Sequence, residues 1–234
     1  MVDAPRRIGR AFLEAVSQEG PGEDIEVEGP SLANARRRQV FRHLCLRPCA
    51  RVGDMARVLA LSQATVRWHG WNLLSNGYLE MEANRMFPQG LIDPADASLF
   101  VLLTAPGRAD VYRACHDDPG LSLQELGVRV GITRQSASKI ATEMTECGIL
   151  RIEEDGRFRR GIPTDVMSTK RVGNAGRVRL FVDRLLRRLE DDGLDPELLR
   201  REEETALLRF GVGPHRVVLD LPTDPYVTSW RAFP

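Results

Sequence analysis

The stretch TRQSASKIATEMTECGILRIEEDGRF, residues 133–158, decides the fold because it joins a capped helix to a β-hairpin. Thr133 is a good N-cap, since its hydroxyl can accept hydrogen bonds from the exposed amides of the first helical turn. Gly148 ends the helix, where glycine adopts a left-handed conformation at the least cost. The alternating residues that follow surround Asp155-Gly156, a strong hairpin signal. The stretch therefore predicts a helix followed by a two-stranded hairpin.

The residues before this stretch supply two more predicted helices. One covers residues 107–116 and cannot continue past Pro119, because proline has no amide hydrogen to donate. A shorter one covers residues 123–130 and leads through a tight turn to Thr133. Helix, helix, turn, helix and hairpin is the element order of a winged helix-turn-helix domain.

The same pattern occurs a second time, earlier in the chain. Residues 36–82 align without a gap on residues 107–153, with apolar positions matching apolar ones and Pro48 and Gly77 matching Pro119 and Gly148. The earlier copy predicts helices over 34–46, 52–59 and from Ser62 to Gly77, then a hairpin that turns near Asn84.

The repeat predicts two tandem winged-helix domains, residues 34–93 and 94–164, called here the first unit and the second unit. The predicted fold class is mainly α with small β-hairpin wings, an α+β architecture.

The third helices of both units resemble those of known regulators. Thr65-Val66-Arg67-Trp68-His69, continuing through Gly77-Tyr78-Leu79, resembles the recognition helix of ArsR/MarR-like winged-helix regulators, especially archaeal ones. The segment 136–150 resembles the same part of MarR-type repressors. The resemblance covers more than half of the chain and implies a DNA-binding transcriptional regulator. Gly70 departs from it, since the family usually carries leucine there, and we expect Trp68 or Trp71 to fill the space.

The overall balance of charge, taken alone, argues against this interpretation, since 33 basic residues face 33 acidic ones. The charges are unevenly spread, however. Residues 1–35 carry 3 basic and 7 acidic groups, the first unit from residue 36 carries 9 and 4, the second unit 9 and 10, and the remainder 12 and 12. The net charges of −4, +5, −1 and 0 cancel. Zero net charge is therefore compatible with nucleic-acid binding through local basic surfaces.

The predicted partner is double-stranded DNA, with the third helix of each unit in the major groove. The candidate base-reading residues are Ser62, Gln63, Thr65 and Arg67 in the first unit and Arg134, Gln135, Ser138 and Lys139 in the second. The candidates for contacts with the DNA backbone or minor groove are Arg36, Arg37, Arg38, Arg157, Arg159 and Arg160. The alternative is a winged-helix adaptor that binds proteins of the transcription or replication machinery.

The C-terminal part, residues 165–234, is predicted to be a helical extension with a tail. Apolar residues recur at helical spacing over 175–191, and a second helix is predicted from Asp195 to about Phe210. Two such helices suggest a homodimer paired through them. A strand is predicted over 216–221.

The first 33 residues predict a short helix over 8–16 and an acidic linker around 19–28. We hypothesise that this acidic leader covers the basic face of the first unit.

Enzymatic motifs are missing from the sequence. It has no phosphate-binding glycine loop, no nucleophile elbow and no Cys-x2-Cys zinc spacing, so we expect neither an enzyme nor a cofactor. Cys45 and Cys49 with nearby His43 would suit a metal or thiol sensor, but we expect all four cysteines to be free thiols. No secretory signal or run of about 20 apolar residues occurs, which predicts a cytoplasmic protein without a membrane segment.

Overall fold

A computed structural model describes residues 32–231 of the 234-residue chain. The predicted helix over 8–16 and the acidic linker lie outside these residues. The elements of the first unit are α1 (Ala35–Leu46), α2 (Val52–Val58), α3 (Gln63–Ser75), β1 (Leu79–Glu82) and β2 (Arg85–Pro88). A 3₁₀ turn (Pro94–Asp96) and α4 (Ala97–Leu103) follow, and the second unit continues with α5 (Arg108–Asp117), α6 (Leu123–Val130), α7 (Arg134–Glu146), β3 (Leu150–Asp155) and β4 (Phe158–Pro163). The C-terminal part contains α8 (Val166–Asp191), β5 (Glu197–Arg201), β6 (Thr205–Val212), β7 (His215–Pro222) and α9 (Pro225–Thr228).

The fold class predicted from the sequence is confirmed, because helices predominate and each three-helix run ends in a small antiparallel hairpin. Thr133 caps α7 by accepting a hydrogen bond from the Ser136 amide at 3.1 Å. Gly148, at φ +75°, lies two residues after the helix ends. The hairpin of β3 and β4 turns at Gly156, with Asp155 opposite Phe158.

Helix α3 of the first unit has the same kind of N-cap and the same glycine after its end. Ser62 accepts a hydrogen bond from the Thr65 amide at 3.0 Å, and Gly77 has a φ of +71°. The space at Gly70, however, is filled by Met86 of β2, since a Cβ at residue 70 would lie 2.8 Å from the Met86 Cε. The expectation that Trp68 or Trp71 fills it is therefore wrong. The wing, and not the helix itself, supplies the packing atom.

The predicted second C-terminal helix, from Asp195 to Phe210, is wrong. This stretch forms β5 and most of β6, which pair with β7 in the sheet order β5-β6-β7. Along β6, Ala206, Leu208 and Phe210 are buried at every second position, which is the period of a strand with one face on the core. The extension is therefore one long helix and a three-stranded sheet. The strand predicted over 216–221 lies within β7.

Helix α8 begins earlier than predicted and packs against the first unit. Its apolar stripe (Phe181, Val182, Leu185 and Leu189) is buried, and the Phe181 ring stacks on Phe41 of α1 with centroids 6.5 Å apart. The predicted homodimer through two C-terminal helices thus loses its basis, because the second helix is a sheet and the stripe is covered within the chain. In the part of the chain described, no helix combines the length and apolarity needed to cross a membrane.

Candidate nucleic-acid interface

The start of α7 presents polar side chains on one face and core side chains on the other. Ala137, Ile140, Ala141 and Met144 are buried, which fixes the rotation of the helix. Arg134, Gln135 and Lys139 are exposed on the opposite face, as a recognition surface requires. Ser138 is half-buried, and its carbonyl accepts a hydrogen bond from the Thr142 hydroxyl at 3.0 Å.

The wing of the second unit brings further cations next to α7. Arg157 and Arg159 are exposed at the hairpin tip, on either side of Phe158. A cleft of about 360 Å³ lies between the wing and the first residues of α6 and α7, and its lining includes Arg134, Arg157 and Arg159. The Arg157 guanidinium lies over the Phe158 ring, 5.0 Å from its centroid. The fold thus gathers three cations predicted from separate parts of the sequence around one cleft.

Pairing separates the basic residues of the second unit into two groups. Five of them make ion pairs with acidic neighbours: Arg108, Arg113, Arg129, Arg151 and Arg160. Arg134, Lys139, Arg157 and Arg159 make none with any residue between 32 and 231. The unpaired cations are those of α7 and the wing. The unpaired positive charge of this unit is therefore concentrated on α7 and the wing, although the unit as a whole carries a net charge of −1.

Arg160 lies on the wing but has a structural role. Its Nε donates to Asp155 Oδ2 at 2.9 Å, and its Nη1 donates to the Gly120 carbonyl at 2.8 Å. The first bond joins β4 to the end of β3, and the second joins β4 to the loop before α6. The prediction that Arg160 contacts DNA is therefore not retained, because both ends of its guanidinium are engaged within the unit.

Two other residues of the cleft carry no motif that would single them out in the sequence. Gln124 of α6 and Phe158 of the wing both line it, and Phe158 is 39% exposed. The sequence could have predicted that Phe158 is exposed, because it lies between arginines next to an Asp-Gly turn and a hairpin tip cannot bury a large ring.

In the first unit, the predicted base-reading residues lie at the start of α3. Gln63 and Arg67 are exposed, and Arg67 Nη2 donates to Gln63 Oε1 at 3.2 Å. Ser62 and Thr65 share a hydrogen bond of 2.8 Å between their hydroxyls, as part of the helix cap. Gln63 and Arg67 therefore form the outward polar surface of this helix.

The three consecutive arginines at the start of α1 do not form a common surface. Arg37 is 6% exposed, and its Nη1 donates to Asn72 Oδ1 at 3.0 Å beside the Trp68 ring. Contact between Arg37 and DNA stays a prediction, and the buried Arg37 is left out of the proposed interface. Arg38 donates to the carbonyls of Leu32 and Ala33, and burial lowers its pKa. Arg36 is half-buried.

The wing of the first unit differs in charge from that of the second. Its hairpin carries Glu80, Glu82 and Arg85, and Glu80 accepts a hydrogen bond from the Gly90 amide at 2.9 Å. Trp71 of α3 and Met81 of β1 are each 42% exposed. The surface that corresponds to the basic cleft is therefore acidic and partly apolar, which the net charge of the unit conceals.

The sensor considered at Cys45 and Cys49 lacks the necessary chemistry. Both thiols are buried, and burial raises the pKa of Cys45 well above its usual range and that of Cys49 to about 12. Burial also lowers the pKa of His43 to about 4, with Arg47 and Arg42 adding to the effect. Within residues 32–231, no group of three or more histidine, cysteine or acidic side chains is placed to hold a metal ion.

Comparison with known proteins identifies one part of the chain. The profile of the MarR family matches residues 104–161, about a quarter of the chain, which span α5 to β4 of the second unit. Residues 104–161 are thus similar to the MarR family, and the basic cleft lies within this segment. No match is found among curated proteins.

Three solved structures show partial likeness. The PcaV transcriptional regulator from Streptomyces coelicolor, in complex with its natural ligand, is 22% identical over 58% of this chain and 77% of its own, with a TM-score of 0.28. The DIP2311 protein from Corynebacterium diphtheriae is 14% identical over 56% and 26%, with a TM-score of 0.23. IdeR of T. acidophilum is 15% identical over 81% and 92%, with a TM-score of 0.21. Likenesses of this size do not assign a ligand or a partner to the chain.

Proposed function

We propose that the chain is a DNA-binding transcriptional regulator that contacts DNA chiefly through its second unit. The observation that carries the proposal is the set of unpaired cations on α7 and the wing: Arg134, Arg157 and Arg159, which line one cleft, and Lys139, which is exposed further along α7. Exposed cations without acidic partners attract phosphates, and neutralising phosphates releases counterions that favour binding. The remaining basic residues of this unit are neutralised by acidic neighbours.

The geometry supports a division of labour between helix and wing. The first turns of α7 enter the major groove, where Arg134, Gln135 and Lys139 face the base edges. Arg157 and Arg159 follow the backbone or the neighbouring minor groove and fix the position of the helix without reading sequence. Ser138, being half-buried, contributes less than the three exposed residues.

We propose that the first unit also contacts DNA, in tandem with the second unit but more weakly. The run of three helices and a hairpin over residues 35–88 recurs over residues 108–163, and Gln63 and Arg67 stand on α3 where Arg134 and Ser138 stand on α7. Its wing supplies Glu82 in place of free arginines, so its share of the electrostatic attraction is small.

A second candidate function is protein binding by the first unit. The exposed Trp71 and Met81 lie on the helix and wing that would face DNA, and exposed aromatic and methionine side chains are common at protein interfaces. A unit of this kind would make the chain an adaptor that the second unit brings to DNA.

Titration against a duplex of random sequence at several salt concentrations tests the proposal. Replacing Arg134, Lys139, Arg157 and Arg159 together by alanine should lower the affinity and reduce the slope of log K against log salt by about 0.9 for each phosphate that the variant leaves without a cation. The matched control replaces Arg113, Arg129 and Arg151, which are paired on the same unit, and should change the slope little. Equal effects of both variants would refute the assignment of the cleft.

A further inference from the structure

A second cavity, of about 400 Å³, lies in the C-terminal part, away from the basic cleft. One wall is helix α8, and the other is formed by residues 201–203 at the end of β5 together with Thr223 and Asp224. The volume falls within the range of small-molecule sites. The cavity also lies outside residues 104–161, to which the family match is confined.

One of the residues that line this cavity, Asn174, has a buried side-chain oxygen without a hydrogen-bond partner among residues 32–231. Asn174 is 4% exposed, and its Nδ2 donates to the Leu91 carbonyl at 2.8 Å. The amide orientation is thereby fixed, which leaves Oδ1 as the other polar atom, and Oδ1 makes no hydrogen bond with any residue between 32 and 231. A buried polar atom left unsatisfied is destabilising, so the site favours a ligand that brings a hydrogen-bond donor.

The wall beside Asn174 is aliphatic. Ala175, Val178 and Val182 of α8 line the cavity, and Val182 is 1% exposed. Val172, 76% exposed, lies at the same helix face. This wall favours a branched or unbranched aliphatic group of a few carbons over a sugar or a nucleotide.

The charges around the cavity balance, with three arginines and three acidic residues among its lining: Arg171, Arg179, Arg201, Glu202, Glu203 and Asp224. Arg171 is held by Asp224 and Glu203, and Arg201 is held by Asp183. Arg179 makes no ion pair with a described residue, so its guanidinium is the cation that remains for a ligand.

We propose that this cavity binds a zwitterionic aliphatic α-amino acid. The ammonium donates to Asn174 Oδ1, the carboxylate accepts from Arg179, and the side chain packs on Val178 and Val182. A simple carboxylate leaves Oδ1 unsatisfied, and a simple amine leaves Arg179 unused, so neither fragment satisfies both groups.

A ligand bound in this cavity would affect the first unit through Asn174. Its Nδ2 holds the carbonyl of Leu91, three residues after the end of β2. The ligand would therefore act on the segment that follows the wing of that unit. This regulatory consequence rests on the proposed DNA binding, whereas binding of the amino acid itself does not.

Isothermal titration of the full chain in the absence of DNA tests the proposal. L-valine, L-leucine, L-isoleucine and L-methionine are titrated singly, with 4-methylpentanoate and 3-methylbutylamine as the fragments lacking one charge. At least one amino acid should saturate the protein at one per chain, and both fragments should bind at least about tenfold more weakly, since each lacks one charged hydrogen bond. Because no DNA is present, failure here is distinguishable from failure of the proposed DNA binding.

Two substitutions on α8 complete the experiment. Arg179→Gln should weaken binding by about tenfold or more. Arg187→Gln, an equally exposed change on the same helix but outside the cavity, should leave it within about twofold. Three results would each overturn the proposal: saturation by none of the four amino acids at millimolar concentration, equal binding of a fragment, or unchanged binding by Arg179→Gln.

Discussion

The indole of Trp230 meets the ring of Tyr112 edge to face, with centroids 5.1 Å apart and planes at 82°. Tyr112 belongs to α5 of the second unit, whereas Thr228, two residues before the indole, donates to the Leu46 carbonyl of the first unit at 3.1 Å. The Tyr226 hydroxyl donates to Asp96 Oδ2 at 2.5 Å, in the 3₁₀ turn that begins the second unit. The C-terminal segment 225–230 therefore packs against both units at once.

Replacing Trp230 by alanine should lower the free energy of unfolding by about 3–5 kcal/mol, because the side chain is 4% exposed and packs against Tyr112. Chemical denaturation followed by circular dichroism measures the change. Trp71→Ala is the matched control. Because Trp71 is 42% exposed, its replacement should lower the free energy of unfolding much less. Similar decreases for the two variants would show that the segment does not stabilise the body.

The packing of this segment could not be predicted from sequence, although its aromatic residues were visible there. A run of scattered aromatics between prolines has no helical or strand period, so it shows apolar content without a direction. The helix predicted from Asp195 to Phe210 was wrong for a different reason. Its Asp-Pro start is typical of a helix N-terminus, but the buried alternation of Ala206, Leu208 and Phe210 is satisfied only by pairing with β7, a contact between distant residues.

The two units should contribute unequally to DNA affinity. Arg134→Ala should weaken binding and reduce the salt slope by about 1, because its guanidinium has no acidic partner in the second unit. Arg67→Ala should have a smaller effect, because Arg67 is bonded to Gln63 and lies beside a wing that carries Glu82. Fluorescence anisotropy with a labelled duplex at two salt concentrations compares them. A larger decrease for Arg67→Ala would reverse the proposed order.

The sequence predicted the candidate interface best on the third helices, where capping and helical periodicity determine which side chains are exposed. The caps Ser62 and Thr133 set the start of the third helices, so the outward positions follow from helical periodicity. The burial of Arg37 could not be predicted in this way because it depends on Asn72 and Trp68, which lie on another helix. Ion pairs likewise depend on tertiary contacts. The net charges counted by segment could therefore not show which cations are neutralised.

Stability should fall on acidification because of His43. Its pKa is lowered to about 4 in the folded chain by burial and the nearby arginines, so between pH 6.5 and 4 the unfolded chain binds a proton that the folded chain does not. The free energy of unfolding should therefore decrease over this interval, by up to about 3 kcal/mol from this group. His43→Gln should flatten the dependence, and the exposed His215→Gln should not. Denaturation at pH 7, 5.5 and 4 measures it, and an unchanged slope in His43→Gln would contradict the assignment.

Thiol chemistry should be confined to one of the four cysteines. Cys45, Cys49 and Cys115 are buried, and burial raises the pKa of each, so thiolate, the reactive form, is scarce at all three. Cys147 is exposed just after α7, although partial burial and then Glu146 and Glu143 raise its pKa as well.

Ellman's reagent on the native chain should therefore label one thiol, more slowly than free cysteine, and all four only after denaturation. Cys147→Ser should abolish the native reaction without altering the denatured count of the other three. Labelling of a second thiol in the native chain would indicate that Cys45 and Cys49 are accessible, and would return the thiol sensor to consideration. The expected single reaction instead assigns these two thiols to packing, since a buried thiol behaves as a small apolar side chain.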